Sequence, residues 1–144
     1  MLVQLFLDSA RLPWSVVQSV LSPDEISILS DLGLLQPAIG DPELCVSTVA
    51  IIPSDDLYVS SDRLSNVETT GGIPSDVVYS TITEETRRFI ALMPRLPCER
   101  YLEMCAGTGI AALHAARDFA KHAYSADITE RSTRFARFNA ALNG

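Results

Sequence analysis

No apolar stretch in the 144 residues approaches the ~20 that a membrane-crossing helix needs. The opening Met1-Leu2-Val3-Gln4-Leu5-Phe6-Leu7 lacks a basic flank and meets Asp8 early, so it reads as a helix of the fold rather than a secretory leader. Basic residues are scarce: 11 Lys and Arg face 18 Asp and Glu, for a formal net charge of −7. That balance argues against a general phosphate-binding surface, because duplex binding needs clustered cations. The three cysteines, Cys45, Cys98 and Cys105, are widely spaced and form no CxxC pair, which reads as free thiols in a reducing cytoplasm. With His114 and His122 as the two histidines, a zinc site is not expected. Internal repeats and low-complexity segments are also missing. What the chain has is a hydrophobic fraction of 47%, typical of a protein with a buried core, and length for one ordinary domain or two small ones.

The first part reads as a small helical domain with a β-hairpin. Val16, Val17, Val20 and Leu21 recur at helical spacing after Pro13-Trp14. Ser22-Pro23-Asp24-Glu25 supplies a helix start: Ser22 caps, Pro23 suits the first helical position, and Glu25 reaches back to the cap's N–H. Ile26, Leu29 and Leu32 give that helix an apolar face, and Gly33 suits the left-handed residue that ends it. Gln36 to Glu43 reads as a loop. The β-branched run Cys45 to Ile52 reads as one strand, Pro53-Ser54-Asp55-Asp56 as a turn, and Leu57 to Ser60 as the return strand. Helices followed by a hairpin give a winged-helix-like α+β domain over residues 1–62. Its acidic loops, with Asp41, Glu43, Asp55 and Asp56, favour protein contact, or simple packing, over nucleic-acid contact. A polar linker with Gly71-Gly72-Ile73-Pro74 is placed at 63–77. Thr83 then caps a helix with Glu84 and Glu85 in its first turn, Phe89, Ile90 and Met93 on its apolar face, and Pro94 as its stop.

The informative segment follows. Tyr101-Leu102-Glu103-Met104 reads as a strand, Cys105-Ala106-Gly107-Thr108-Gly109 as a glycine turn, and Ile110 onward as a helix. A second strand, Ala123 to Ala126, ends at Asp127-Ile128. Glycine lets a backbone take positive φ and lets a ligand come close. The helix start presents unpaired N–H groups. An acidic residue ~20 positions on is where a carboxylate grips ribose hydroxyls. Capping of the next helix is the alternative role for Asp127. Gly107 to Ala112 also fits the dinucleotide pattern GxGxxA, but Glu103 would oppose a pyrophosphate and favour the positive groups of S-adenosylmethionine. Read as bland features, His114 is a packing or surface residue, Arg131, Arg134 and Arg137 form a solvated stripe, and Trp14 belongs to a core.

Together, Leu102-Glu103-Met104-Cys105-Ala106-Gly107-Thr108-Gly109, Ala126-Asp127-Ile128 and Arg134-Phe135-Ala136-Arg137-Phe138-Asn139-Ala140-Ala141-Leu142-Asn143-Gly144 resemble the start of a class I S-adenosylmethionine-dependent methyltransferase. The likeness spans roughly Tyr79 to Gly144 and is nearest to the branch that methylates glutamine in release factors and a ribosomal protein. It implies the first β-α-β-α of a Rossmann-like sheet over 78–144, an incomplete domain. It implies that Glu103, Cys105, Ala106, Gly107, Thr108 and Gly109 hold the methionine end of S-adenosyl-L-methionine, Asp127 the ribose and Ile128 the adenine. Cys105 departs from the pattern, since many relatives have glycine there. The Asn/Asp-Pro-Pro-Tyr with which that branch holds its target nitrogen does not occur in the sequence. No catalytic residue is therefore named, and the expected activity is N-methylation of a macromolecule by a longer chain, with this one inactive and prone to self-association through an incomplete sheet. The rival readings are an NAD(P)-binding oxidoreductase fragment and a non-enzymatic adaptor with a vestigial cofactor fold.

Overall fold

The computed structural model describes residues 1–63 and 75–144. The chain is a mixed α/β protein that divides into two compact units. The first is Met1–Ile51 with the described part of Asp62–Ser75, and the second is Ile52–Ser61 with Asp76–Gly144. The linker read at 63–77, with Gly71 to Pro74, lies mostly outside the described residues.

In the first unit, the helix expected for the first residues is a π-helical turn, Val3–Leu7. Strand β1 (Leu12–Pro13) and helix α1 (Trp14–Gln18) follow, then α2 (Pro23–Asp31), β2 (Leu35–Ala38) and β3 (Asp41–Ser47). The α2 start is the expected capping box: the Glu25 amide donates to Ser22 Oγ, and the Ser22 amide donates to Glu25 at 2.7 Å. Gly33 takes φ +69° just past the helix, as expected.

Two local readings need correction. Gln36 to Glu43 is not a loop, because β2 and β3 pair antiparallel with Leu35 opposite Ser47 and Gln36 opposite Val46. The run Cys45 to Ile52 is not one strand either; it breaks at Thr48, and β4 (Val49–Ser54) begins a separate pairing. At the break the Thr48 amide donates to Leu34 O at 3.1 Å and its hydroxyl to Gly33 O at 2.7 Å, which fixes the chain where its ladder stops. The three strands run in the order β1-β3-β2. Leu5, Val17, Leu35 and Cys45 are the buried centre, with Phe6, Trp14 and Leu29 packed around them. Burial pushes the Cys45 thiol up to about 11, so this cysteine is a core residue and not a nucleophile. Buried Arg63 donates to the backbone carbonyls of Ser47 and Ser9.

The second hairpin pairs β4 with β5 (Leu57–Asp62) around Asp55, which takes φ +51°. The division between units passes through this hairpin. Sequence alone puts residues 1–62 in one domain, whereas Ile52–Ser61 belongs with the second unit. There Leu57 and Val59 share a buried cluster with Ile90, Met93, Ile110 and Ala111. Helix α3 (Glu84–Leu92) starts at Thr83, whose hydroxyl accepts from the Thr86 amide at 3.3 Å. It ends where Met93 turns extended, the conformation that Pro94 imposes on its predecessor. Of the face read as apolar, Ile90 and Met93 are buried, and Phe89 is exposed.

Strand β6 (Cys98–Met104), helix α4 (Ile110–Asp118), strand β7 (Ala120–Ala126) and helix α5 (Glu130–Asn143) complete the unit. β6 and β7 are parallel, in register from Cys98 opposite Ala120 to Met104 opposite Ala126. Parallel neighbours joined through a helix make a βαβ unit. One face of the pair packs with α4, and Tyr101 reaches the core with its hydroxyl 3.1 Å from Met93 Sδ and its ring edge-on to Phe119. Leu102, Met104 and Tyr124 are exposed.

Candidate functional site

The site is built where β6 gives way to α4. Three residues take left-handed φ at alternate positions: Cys105 at +54°, Gly107 at +53° and Gly109 at +76°. A non-glycine residue pays for that conformation, since its Cβ crowds the following carbonyl. Cys105 therefore sits strained and exposed at a position where glycine fits better. A Cβ on Gly107 would meet nothing within 4 Å, whereas one on Gly109 would lie 3.1 Å from Ala136 Cβ of α5. Gly107 thus keeps one side of the turn open, and Gly109 lets α5 come in close.

The carbonyls and amides of the turn are largely committed. The Ala106 amide donates to Ala126 O at 3.1 Å, and the Gly109 amide to Ala106 O at 2.7 Å. Buried Thr108 presents its carbonyl to Asn139 Nδ2 at 2.9 Å. Asn139 has a role that sequence reading does not supply. Fully buried on α5, it also donates to Ser60 O at 2.9 Å and accepts from the Ser60 amide at 2.7 Å. Four residues on, Asn143 makes the same pair of bonds with Tyr58, each at 2.8 Å. Two amide side chains one helical turn apart thus stand in for a strand against the β5 edge. The pattern of asparagines four apart was visible, but its partner, 79 residues away, was not.

Glu103 and Asp127 reach the turn from different strands. Both Glu103 oxygens point to the start of α4, accepting from the Ala111 amide at 3.3 Å and the Ala112 amide at 2.9 Å. Burial raises the pKa of this carboxyl, and the two amide bonds pull it back without cancelling the effect. Asp127 accepts from the Gly107 amide at 2.9 Å through Oδ2, and from the Thr129 amide at 3.0 Å through Oδ1. These bonds, that from Thr129 first, hold it below the ordinary carboxylate range, so it is ionised at neutral pH. Asp127 thus ties the β6–α4 turn to the β7–α5 loop, and it also braces the start of α5, whose cap is Thr129. The capping alternative and the ligand alternative share one geometry. Oδ2 has accepted one bond and a carboxylate oxygen offers two lone pairs. Next to it, Ile128 is 99% exposed.

The remaining sequence candidates fall outside this group. His114 is fully buried in α4, with Arg117 3.1 Å from Nδ1, and burial lowers its pKa. Arg134 pairs with Glu130 on the solvent face, and Arg131 lies over the Phe135 ring. Among the described residues, no group of three His, Cys, Asp or Glu is placed to hold a metal ion, and no helix is long and apolar enough to cross a membrane. No protein-family model matches the chain, and no curated protein is significantly similar to it.

Proposed function

We propose that the second unit binds S-adenosyl-L-methionine as the opening segment of a Rossmann-like methyltransferase domain, and that the first unit, read as winged-helix-like, recruits a macromolecular substrate, protein rather than nucleic acid. The observation that carries this reading is the Glu103 carboxylate on the first-turn amides of α4. A dinucleotide site lends those same amides to a pyrophosphate. Here they are taken, and by a negative charge that would repel one. S-adenosylmethionine asks for something else: acidic surroundings for its sulfonium and ammonium, and hydroxyl acceptors for its ribose. Asp127, held ionised at the rim of the turn with acceptor capacity left on Oδ2, fits the ribose. Exposed Ile128 fits one face of an adenine, and the bare Cα of Gly107 leaves room above the turn. Ala106 and Thr108 shape the turn through their backbones, while Cys105 contributes strain and an exposed thiol.

The bound cofactor would supply an electrophilic methyl group. This chain's residues would bind and orient it, and the acceptor-holding motif of the family is not among them. The oxidoreductase reading loses support through Glu103. Calorimetric titration separates the possibilities. S-adenosylhomocysteine should bind and NADH should not, and Asp127→Asn should weaken S-adenosylhomocysteine tenfold or more, the effect of losing a charge-assisted hydrogen bond. Selective NADH binding would overturn the proposal in favour of a dehydrogenase fold. Unchanged affinity in the variant would remove Asp127 from the ribose and favour an adaptor.

The proposal extends to assembly. Parallel sheets are covered on both faces, and Leu102, Met104 and Tyr124 lie bare. The chain should therefore self-associate, and its sedimentation coefficient should rise with concentration. Replacing Leu102 and Met104 together by threonine should reduce that rise. A concentration-independent monomer would contradict it.

A further inference from the structure

The second unit holds a cavity of about 400 Å3 that shares no residue with the glycine turn. It lies between the β4–β5 turn, the approach to α3, α3 itself and Ile110 at the start of α4. Its volume is within the range of small-molecule sites. Ile90 and Ile110 form part of the lining's apolar side, and Arg87, Arg95, Asp55 and Thr86 are among its polar residues. Two arginines against one aspartate leave the lining with a surplus positive charge, on a chain whose formal net charge is −7.

The two arginines are not equivalent. Arg95 is engaged by Asp118 at 3.2 Å. Arg87 makes no ion pair among the described residues, whereas its neighbour Arg88 is held by Glu84 at 2.5 Å on the solvent side. Arg87 is exposed at the rim of a hollow with mixed polar and apolar walls, and a guanidinium without an ion pair can take a planar oxyanion in a two-pronged hydrogen bond. Asp55 in the same lining penalises a second negative charge. We infer that this cavity binds a small organic monocarboxylate, with the carboxylate on Arg87 and an aliphatic body against Ile90 and Ile110. The inference does not depend on the cofactor reading, since the two sites have no residue in common.

The test uses the full chain, labelled with 15N and titrated with hexanoate, 1-hexanol and hexyl phosphate. Hexanoate should give saturable amide shifts at Ser54, Asp55, Thr86 and Arg87. It should bind about tenfold more tightly than hexanol, the effect of one charge-assisted hydrogen bond, and more tightly than hexyl phosphate. Arg87→Gln should bring hexanoate down to the level of hexanol. Arg88→Gln, which removes the same charge one residue away from the lining, should leave binding unchanged. Equal binding of hexanoate and hexanol, preference for hexyl phosphate, equal effects of the two arginine variants, or no saturable shift at these residues would each overturn the inference.

Discussion

Asn139→Asp should unfold much of the second unit while changing only one atom. The wild-type amide donates to Ser60 O and Thr108 O and accepts from the Ser60 amide, all inside the protein. Aspartate keeps the acceptor and loses both donors. Its second oxygen would then face two carbonyls with no proton to share unless it stays protonated. Breaking a buried polar network from one side costs roughly 3–5 kcal/mol, a large share of the stability of a small domain. Asn139→Ala, which leaves Ser60 N, Ser60 O and Thr108 O without partners, should cost a similar amount. Asn143→Ala should cost about 1 kcal/mol or less, because its contacts with Tyr58 lie where water can replace them. Chemical denaturation followed by fluorescence and circular dichroism measures all three. Equal losses for Asn139→Ala and Asn143→Ala would show that burial at 139 is not what makes the network matter.

Gly109→Ala should be the second most damaging change, and Gly107→Ala its informative contrast. Both glycines have positive φ, so an alanine at either costs roughly 1 kcal/mol in backbone strain. At Gly109 the new Cβ also meets Ala136 Cβ at 3.1 Å and Ala136 Cα at 3.4 Å. Those atoms belong to a helix and cannot rotate away, so α5 must shift, and overpacking of this kind raises the total to about 2–4 kcal/mol. A shift of α5 would also pull Asn139 from Thr108, so the turn and the helix would loosen together. At Gly107 the new methyl enters open space. Gly107→Ala should therefore keep most of its stability yet lose affinity for S-adenosylhomocysteine, because the methyl occupies the side on which the ligand is proposed to lie. If Gly107→Ala proves as destabilising as Gly109→Ala, the close approach of α5 is not the reason for the second glycine.

How much of this was legible in the sequence follows from how local each feature is. The caps at Ser22 and Thr83 are written in adjacent residues, and each forms its expected bond; the Thr129 cap is equally local. The glycine turn and the two strands around it are likewise local. β6 nevertheless begins at Cys98, three residues earlier than its apolar pattern at Tyr101 suggests. β2 was hidden because Gln36 and Pro37 carry no strand signal; its pairing comes from β3 across a short turn at Gly40. The break at Thr48 was hidden because β-branched residues lie on both sides of it, with Val46 before and Val49, Ile51 and Ile52 after. What stops the strand is a pair of bonds to Gly33 and Leu34, contacts between distant residues. The candidate site divides the same way. Its residues lay in two short motifs, but the directions of their side chains did not. Sequence reasoning places Glu103 at a positive ligand, but the bonds its two oxygens accept from the Ala111 and Ala112 amides of α4 come only from the structure. Asn139, which ties Thr108 to the hairpin, and the arginine-lined cavity both arise from segments far apart in the chain.

The central claim is that the turn between β6 and α4, with Asp127, is a nucleoside site specific for S-adenosyl compounds. The most direct measurement is the amide spectrum of the 15N-labelled chain during titration with S-adenosylhomocysteine, beside a parallel titration with NADH. The account predicts saturable shifts centred on Cys105 to Gly109 and Asp127 to Thr129 with the first ligand and none with the second. Shifts elsewhere, the same response to NADH, or silence at Gly107 and Ile128 would contradict it.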